Sequence, residues 1–78
     1  MIEERTSEKP RLSRRETAVL GLASIGLTNA EIAERLDLSV HAVKFHLAGI
    51  YRKLGVSNRT MAARLYLSGV AGLPESPA

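Results

Sequence analysis

The sequence has no cysteine and no tryptophan, and only one phenylalanine and two tyrosines among its 78 residues. Without cysteine, the chain has neither disulfides nor thiolate ligands for a metal ion. The two histidines, His41 and His46, are five residues apart, which places them about 140° apart around a helix. They cannot easily share one metal ion. We therefore expect no cofactor and no metal site, and the lack of cysteine fits a reducing compartment, the cytoplasm.

Long apolar runs are absent as well. No stretch approaches the roughly 20 apolar residues that a transmembrane helix needs, and residues 1–5 do not resemble a signal peptide. We expect one soluble cytoplasmic domain with a modest core and no membrane partner. The sequence shows no nucleophile–base pair and no glycine-rich phosphate loop, and so short a chain leaves little room for a pocket. These features argue against an enzyme and against a small-molecule ligand.

Acidic residues are missing from one half of the chain. Residues 39–70 contain no Asp or Glu, whereas residues 12–38 carry both signs, and the net charge is +3. One side of the domain should therefore be positive, which suits a polyanionic partner but also occurs in small basic domains that bind none. The basic side chains of this half are Lys44, Arg52, Lys53, Arg59 and Arg64.

Helical patterning fills most of the chain. It predicts an all-α, four-helix bundle with helices at about 14–25, 29–36, 40–54 and 59–70. Ser13 with Glu16, and Thr28 with Glu31, have the spacing of capping boxes that open the first two helices. We expect residues 1–11 to be a flexible arm or linker remnant, residues 12–70 to be the domain, and residues 71–78 to be a disordered tail.

The second and third predicted helices are joined by a very short break. Asp37 tolerates the backbone of a tight turn, and Ser39 is a good N-cap for the helix that follows. Two helices with apolar faces, joined by three or four residues, form a helix-turn-helix, whose second helix enters the DNA major groove.

The third helix has two distinct faces. Its apolar stripe consists of Val43, Leu47, Ile50 and Leu54. The opposite face carries His41, Lys44, Phe45, Ala48 and Arg52. A lysine and an arginine there could simply be solvated, but an outward phenylalanine usually marks a contact surface. Phe45 could lie against thymine methyl groups, the N-terminal arm or a partner protein, and the small Ala48 and Gly49 would let another surface come close.

Four spaced motifs give the chain a family resemblance. They are Leu12-Ser13-x-Arg15-Glu16-x-x-Val19-Leu20, Gly26-Leu27-Thr28-Asn29-x-Glu31-Ile32-Ala33, Leu36-x-Leu38-Ser39-x-x-x-Val43-Lys44-x-His46 and Lys53-Leu54-x-Val56-x-x-Arg59-x-x-Ala62. Together they resemble the LuxR-type (GerE/NarL-like) helix-turn-helix domain. The resemblance implies a bacterial transcription regulator that binds double-stranded DNA with its third helix. It also implies a homodimer on two half-sites through the fourth helix, with RNA polymerase as a further possible partner.

The expected site residues come only in part from the resemblance, which covers His41, Lys44, Phe45, Asn29 and Lys53. The positions expected to contact bases are His41, Lys44, Phe45 and Ala48. Those expected to contact phosphates are Thr28, Asn29, Arg52 and Lys53. For dimerisation we expect Met61, Leu65 and Val70, which packing of the fourth helix through Ala62 and Ala63 would leave exposed, unless they complete a small core.

Departures from the family pattern keep other functions open. Ala30 stands where many members have lysine, and Ala42 stands where most have a hydroxyl that touches a phosphate. These losses also fit a protein-interaction or dimerisation module of the same fold with weakened DNA binding. A module like sigma-factor region four is a further alternative, although the fourth helix argues against it. Family members usually carry a receiver or ligand-binding domain as well, and the start at Met1 favours a stand-alone regulator over a fragment.

Overall fold

The computed structural model describes residues 11–69, which form an all-α fold of four helices. They are α1 (Arg14–Ser24), α2 (Asn29–Leu36), α3 (Val40–Leu54) and α4 (Arg59–Leu67). The fold class and the four predicted helices are confirmed, and α2 and α3 have the predicted bounds. Residues 1–10 of the expected arm, the expected tail at 71–78 and Val70 lie outside the described residues.

Local hydrogen bonds fix where the helices begin. In both predicted capping boxes the N-cap hydroxyl accepts from a backbone N–H and the glutamate accepts in return. The Ser13 hydroxyl accepts from the Glu16 backbone at 3.0 Å, and the Glu16 carboxylate accepts from the Ser13 backbone at 2.8 Å. For Thr28 and Glu31 the corresponding distances are 3.1 and 2.8 Å. The Ser39 hydroxyl caps α3 by accepting from the third amide of that helix at 2.9 Å. Short-range sequence signals therefore determine these starts.

Left-handed residues fix where the helices end. Gly26 follows α1 with φ 102° and Gly55 follows α3 with φ 71°, a region that glycine enters without steric strain. Asp37, at φ 59°, forms the turn after α2, as predicted. The prediction for the end of α4 is wrong, because the helix ends at Leu67 and not at Val70. Gly69 adopts φ 83° and stops the helix there.

The core lies where α1 packs against α3 and α4, and where α2 packs against α3. Its fully buried large side chains are Val19, Leu20, Ile32, Val43 and Ile50. The apolar stripe predicted for α3 is confirmed, since Val43, Leu47 and Ile50 are buried and Leu54 is partly buried. Gly49 corrects one expectation, because it is buried beside α1 and does not lie on the outer face of α3. None of the helices in residues 11–69 is both long and apolar enough to cross a membrane.

Candidate nucleic-acid interface

The outer face of α3 presents a continuous stripe of exposed side chains. Its members recur at the helical spacing of three or four residues, and they are His41, Lys44, Phe45, Ala48 and Arg52. The opposite side of α3 packs into the core through Val43, Leu47 and Ile50, so the exposed stripe projects away from the bundle. From His41 to Arg52 the stripe extends about 17 Å along α3 at 1.5 Å per residue, a length comparable with several base pairs of a duplex.

Phe45 is the most exposed large apolar side chain of residues 11–69, at 72%. Its ring meets the ring of the half-buried His46 edge-on, with centroids 6.0 Å apart and planes inclined at 70°. This contact leaves most of the Phe45 ring open to a ligand. The N-terminal arm, which was one expected partner of Phe45, falls at residues 1–10 and so outside the described residues.

The four expected phosphate contacts fall at two places on the helix-turn-helix. Thr28 and Asn29 lie at the start of α2, where the Thr28 oxygen already accepts the Glu31 amide but its O–H can still donate. Arg52 and Lys53 lie in the last turn of α3 and are both exposed.

Asn29 and Lys53 each have a partner inside the fold that the sequence did not reveal. The Asn29 side-chain oxygen accepts from Arg59 at 3.3 Å. The Lys53 ammonium donates to the Glu16 carboxylate at 2.8 Å, with side chains 44% and 12% exposed respectively. Both pairs join residues at least 30 positions apart in the chain, so no local pattern could predict them.

The environment of Glu16 changes its acidity. Burial of the carboxyl group would raise its pKa, but hydrogen bonds from Lys53 and from the Ser13 backbone, together with the Lys53 charge, outweigh burial. The pKa of Glu16 therefore lies below its ordinary value, and the group is ionised at neutral pH. The Lys53 ammonium is thus shared between an internal carboxylate and the solvent.

The outer side of α4 is apolar in part. Met61 is 45% exposed and Leu65 is half-buried, while the expected third member, Val70, lies outside the described residues. Of the two alanines predicted to pack against the core, Ala62 is fully buried and Ala63 is half-buried. Leu67, which the sequence reasoning did not select, is 66% exposed.

Comparison with protein families shows which family the chain belongs to. Residues 10–66 match the family model GerE, described as bacterial regulatory proteins of the luxR family. This chain belongs to the LuxR family. In this family the matched segment is a DNA-binding helix-turn-helix domain of transcription regulators, and the resemblance drawn from the four motifs is confirmed.

Curated relatives of this LuxR-family chain are regulators in several bacteria. The chain is 47% identical over 57 residues to the probable transcriptional regulatory protein SgaR of Hyphomicrobium methylovorum, covering 73% of this chain and 27% of SgaR. It is 48% identical over 60 residues to the transcriptional activator protein EsaR of Pantoea stewartii subsp. stewartii, covering 77% and 24%. It is 42% identical over 53 residues to the regulator MalT of Yersinia pestis, covering 68% and 6%. The chain thus spans about a quarter or less of these relatives.

Proposed function

We propose that this LuxR-family chain binds double-stranded DNA sequence-specifically as a transcription regulator, with α3 in the major groove. The observation that carries the proposal is the exposed stripe on α3, which lies opposite the core and combines cationic, aromatic and small side chains. An α-helix fits the width of the major groove, and base edges there are read by such side chains.

Each member of the stripe suits a different feature of the groove floor. Lys44 can donate to the O6 and N7 acceptors of guanine, and His41 can donate or accept at a base edge. Phe45 supplies apolar contact for thymine methyl groups, and Ala48 lets the helix backbone approach the bases. We assign the base contacts to these four residues.

The phosphate contacts fix the position of α3 in the groove. Thr28 and Asn29 offer side-chain donors at the start of α2, where the helix dipole also favours an anion. Arg52 and Lys53 offer full charges at the end of α3. Because phosphates are the same at every step, these contacts orient the domain without reading sequence.

A second copy of the chain completes the proposal. Met61 and Leu65 on α4, together with Val70, would form a self-complementary apolar contact. A two-fold dimer would then read two half-sites about one DNA turn, or roughly 34 Å, apart. RNA polymerase is a further partner that such a DNA-bound dimer would contact.

Selection of bound duplexes from a random DNA pool tests the proposed function. The 78-residue chain should enrich one short motif, and the paired variants Lys44→Ala and Phe45→Ala should each lose that enrichment. The second candidate is a protein-interaction module, which the 72% exposure of Phe45 would also serve. Failure to retain any duplex at low salt by a folded chain would favour that module.

A further inference from the structure

Arg59 joins the start of α4 to the start of α2. It is the first residue of α4 and is half-buried. One of its guanidinium nitrogens donates to the Leu27 carbonyl, and another donates to the Asn29 side-chain oxygen at 3.3 Å. The planar guanidinium therefore holds both the loop before α2 and the first side chain of that helix.

This contact decides which way the Asn29 carboxamide faces. A guanidinium has five N–H donors and no acceptor, so only the oxygen of a carboxamide can face it favourably. Oxygen and nitrogen lie on opposite sides of the planar carboxamide. With its oxygen turned toward Arg59, Asn29 presents its NH₂ group away from the guanidinium as a free donor.

We propose that Arg59 is a positioning residue for DNA phosphate binding, which it performs by orienting the Asn29 NH₂ group toward a phosphate at the start of α2. The inference rests on the proposed function. Arg59 also bears on the charge of this region, because the Glu31 carboxylate accepts from Thr28 at the same helix start and would repel a phosphate. The positive charge of the Arg59 guanidinium, which contacts Asn29, opposes that repulsion.

The variant Asn29→Asp distinguishes the role of the side-chain oxygen, which accepts from Arg59, from the role of the NH₂ group. The new carboxylate keeps an acceptor for Arg59 and suits the first turn of a helix, so the melting temperature should be unchanged or higher. It removes the NH₂ donor and adds a negative charge, so DNA affinity should fall by tenfold or more, beyond the roughly three- to tenfold loss from Asn29→Ala.

The other asparagine of the chain supplies the matched control. Asn58 caps α4 through its side-chain oxygen, which accepts from Met61 at 2.9 Å. Asn58→Asp therefore preserves its cap and adds the same charge at a second helix start. Its loss of DNA affinity should be smaller than that of Asn29→Asp. Equal losses would show that added charge alone explains the result, and would overturn the inference.

A double-mutant cycle tests the role of Arg59 itself. Arg59→Lys retains the charge but not the planar fork, so it should weaken binding to specific and random DNA alike, by about three- to tenfold. Since neither Arg59→Lys nor Asn29→Ala changes the number of phosphates that charged side chains neutralise, the salt slope should stay constant. In an Asn29→Ala background, Arg59→Lys should cause little further loss.

Additive losses in that cycle would mean that Arg59 acts on DNA independently of Asn29, and would overturn the positioning role. A lower melting temperature with unchanged affinity would show a purely structural role and would overturn it too. If the unaltered chain binds no DNA, the proposed function and this inference fail together. If the chain binds and the cycle is additive, only the inference fails.

Discussion

Lys53 at the end of α3 donates to the same Glu16 oxygen that caps the start of α1, at 2.8 Å. The Ser13 backbone N–H donates to this oxygen at 2.8 Å as well. Gly49 lies beside this carboxylate, where a Cβ would make an ordinary van der Waals contact with the second Glu16 oxygen at 3.4 Å. The Glu16 side chain therefore takes part both in the cap of α1 and in the contact between α1 and α3.

The Glu16–Lys53 pair should make stability depend on pH in the acid range. The folded-state pKa of Glu16 is lowered, so its contribution is fully present above the unfolded pKa of about 4.3 and is lost as pH falls through the folded value. Lys53→Met should lower stability at pH 7 by about 0.5 kcal/mol, a small effect because Lys53 is 44% exposed.

Thermal unfolding from pH 7 to pH 3 measures this effect. The melting temperature of Lys53→Met should fall less on acidification than that of the unaltered chain. Lys44→Met is the matched control, because Lys44 is an exposed lysine on the same helix. If both lysine variants show the same acid dependence as the unaltered chain, the pair does not contribute to stability.

Lys44 and Phe45 should discriminate between DNA sequences. If both meet base edges, Lys44→Ala and Phe45→Ala should each lose about 1–3 kcal/mol on the preferred site and much less on random DNA. Titration of both duplexes at one salt concentration measures the difference. Arg64→Ala provides a charge control, because Arg64 is an exposed cation on α4 outside the stripe. Equal losses on both duplexes would assign Lys44 and Phe45 to phosphate contact or to stability.

The apolar side of α4 should support dimerisation on DNA. Met61→Glu replaces a residue that is 45% exposed, so the monomer should stay folded. Leu65→Glu should have the same effect on dimerisation, although Leu65 is half-buried. Both variants should lose cooperative binding to a duplex with two half-sites and keep the affinity for a single half-site.

Sedimentation and titration of one-site and two-site duplexes measure this prediction. Ile25→Glu is the control, because Ile25 is 67% exposed and lies outside α4. Unfolding of both α4 variants would show that Met61 and Leu65 complete the core. Undiminished cooperativity in folded variants would place the dimer contact elsewhere.

The features of this fold that depend on residues close together in the sequence could be predicted from it. The capping boxes at Ser13 and Thr28 and the turn at Asp37 involve residues within a few positions of each other, so their chemistry could be read directly. The faces of α3 followed from helical periodicity in the same way. The predicted α4 was three residues too long. Helical periodicity does not show that Gly69 adopts a left-handed backbone, which ends the helix.

Contacts between distant residues could not be predicted. Glu16 was recognised as a cap, but nothing in the sequence indicated that Lys53 would reach it. Gly49 was expected, with Ala48, to let another surface come close to α3, yet it is buried beside Glu16 of α1. Asn29 was selected for phosphate binding without its partner Arg59. Each of these contacts depends on how the helices pack.

The salt dependence of DNA binding tests the account most directly. Arg52 and Lys53 are the charged phosphate contacts that we propose for each bound chain, and each neutralised phosphate adds about −0.9 to the slope of log K against log salt. We predict a slope of about −1.8 or steeper for each bound protomer, and a shallower slope for Arg52→Gln. A slope near zero for the folded, unaltered chain would contradict DNA binding by this domain.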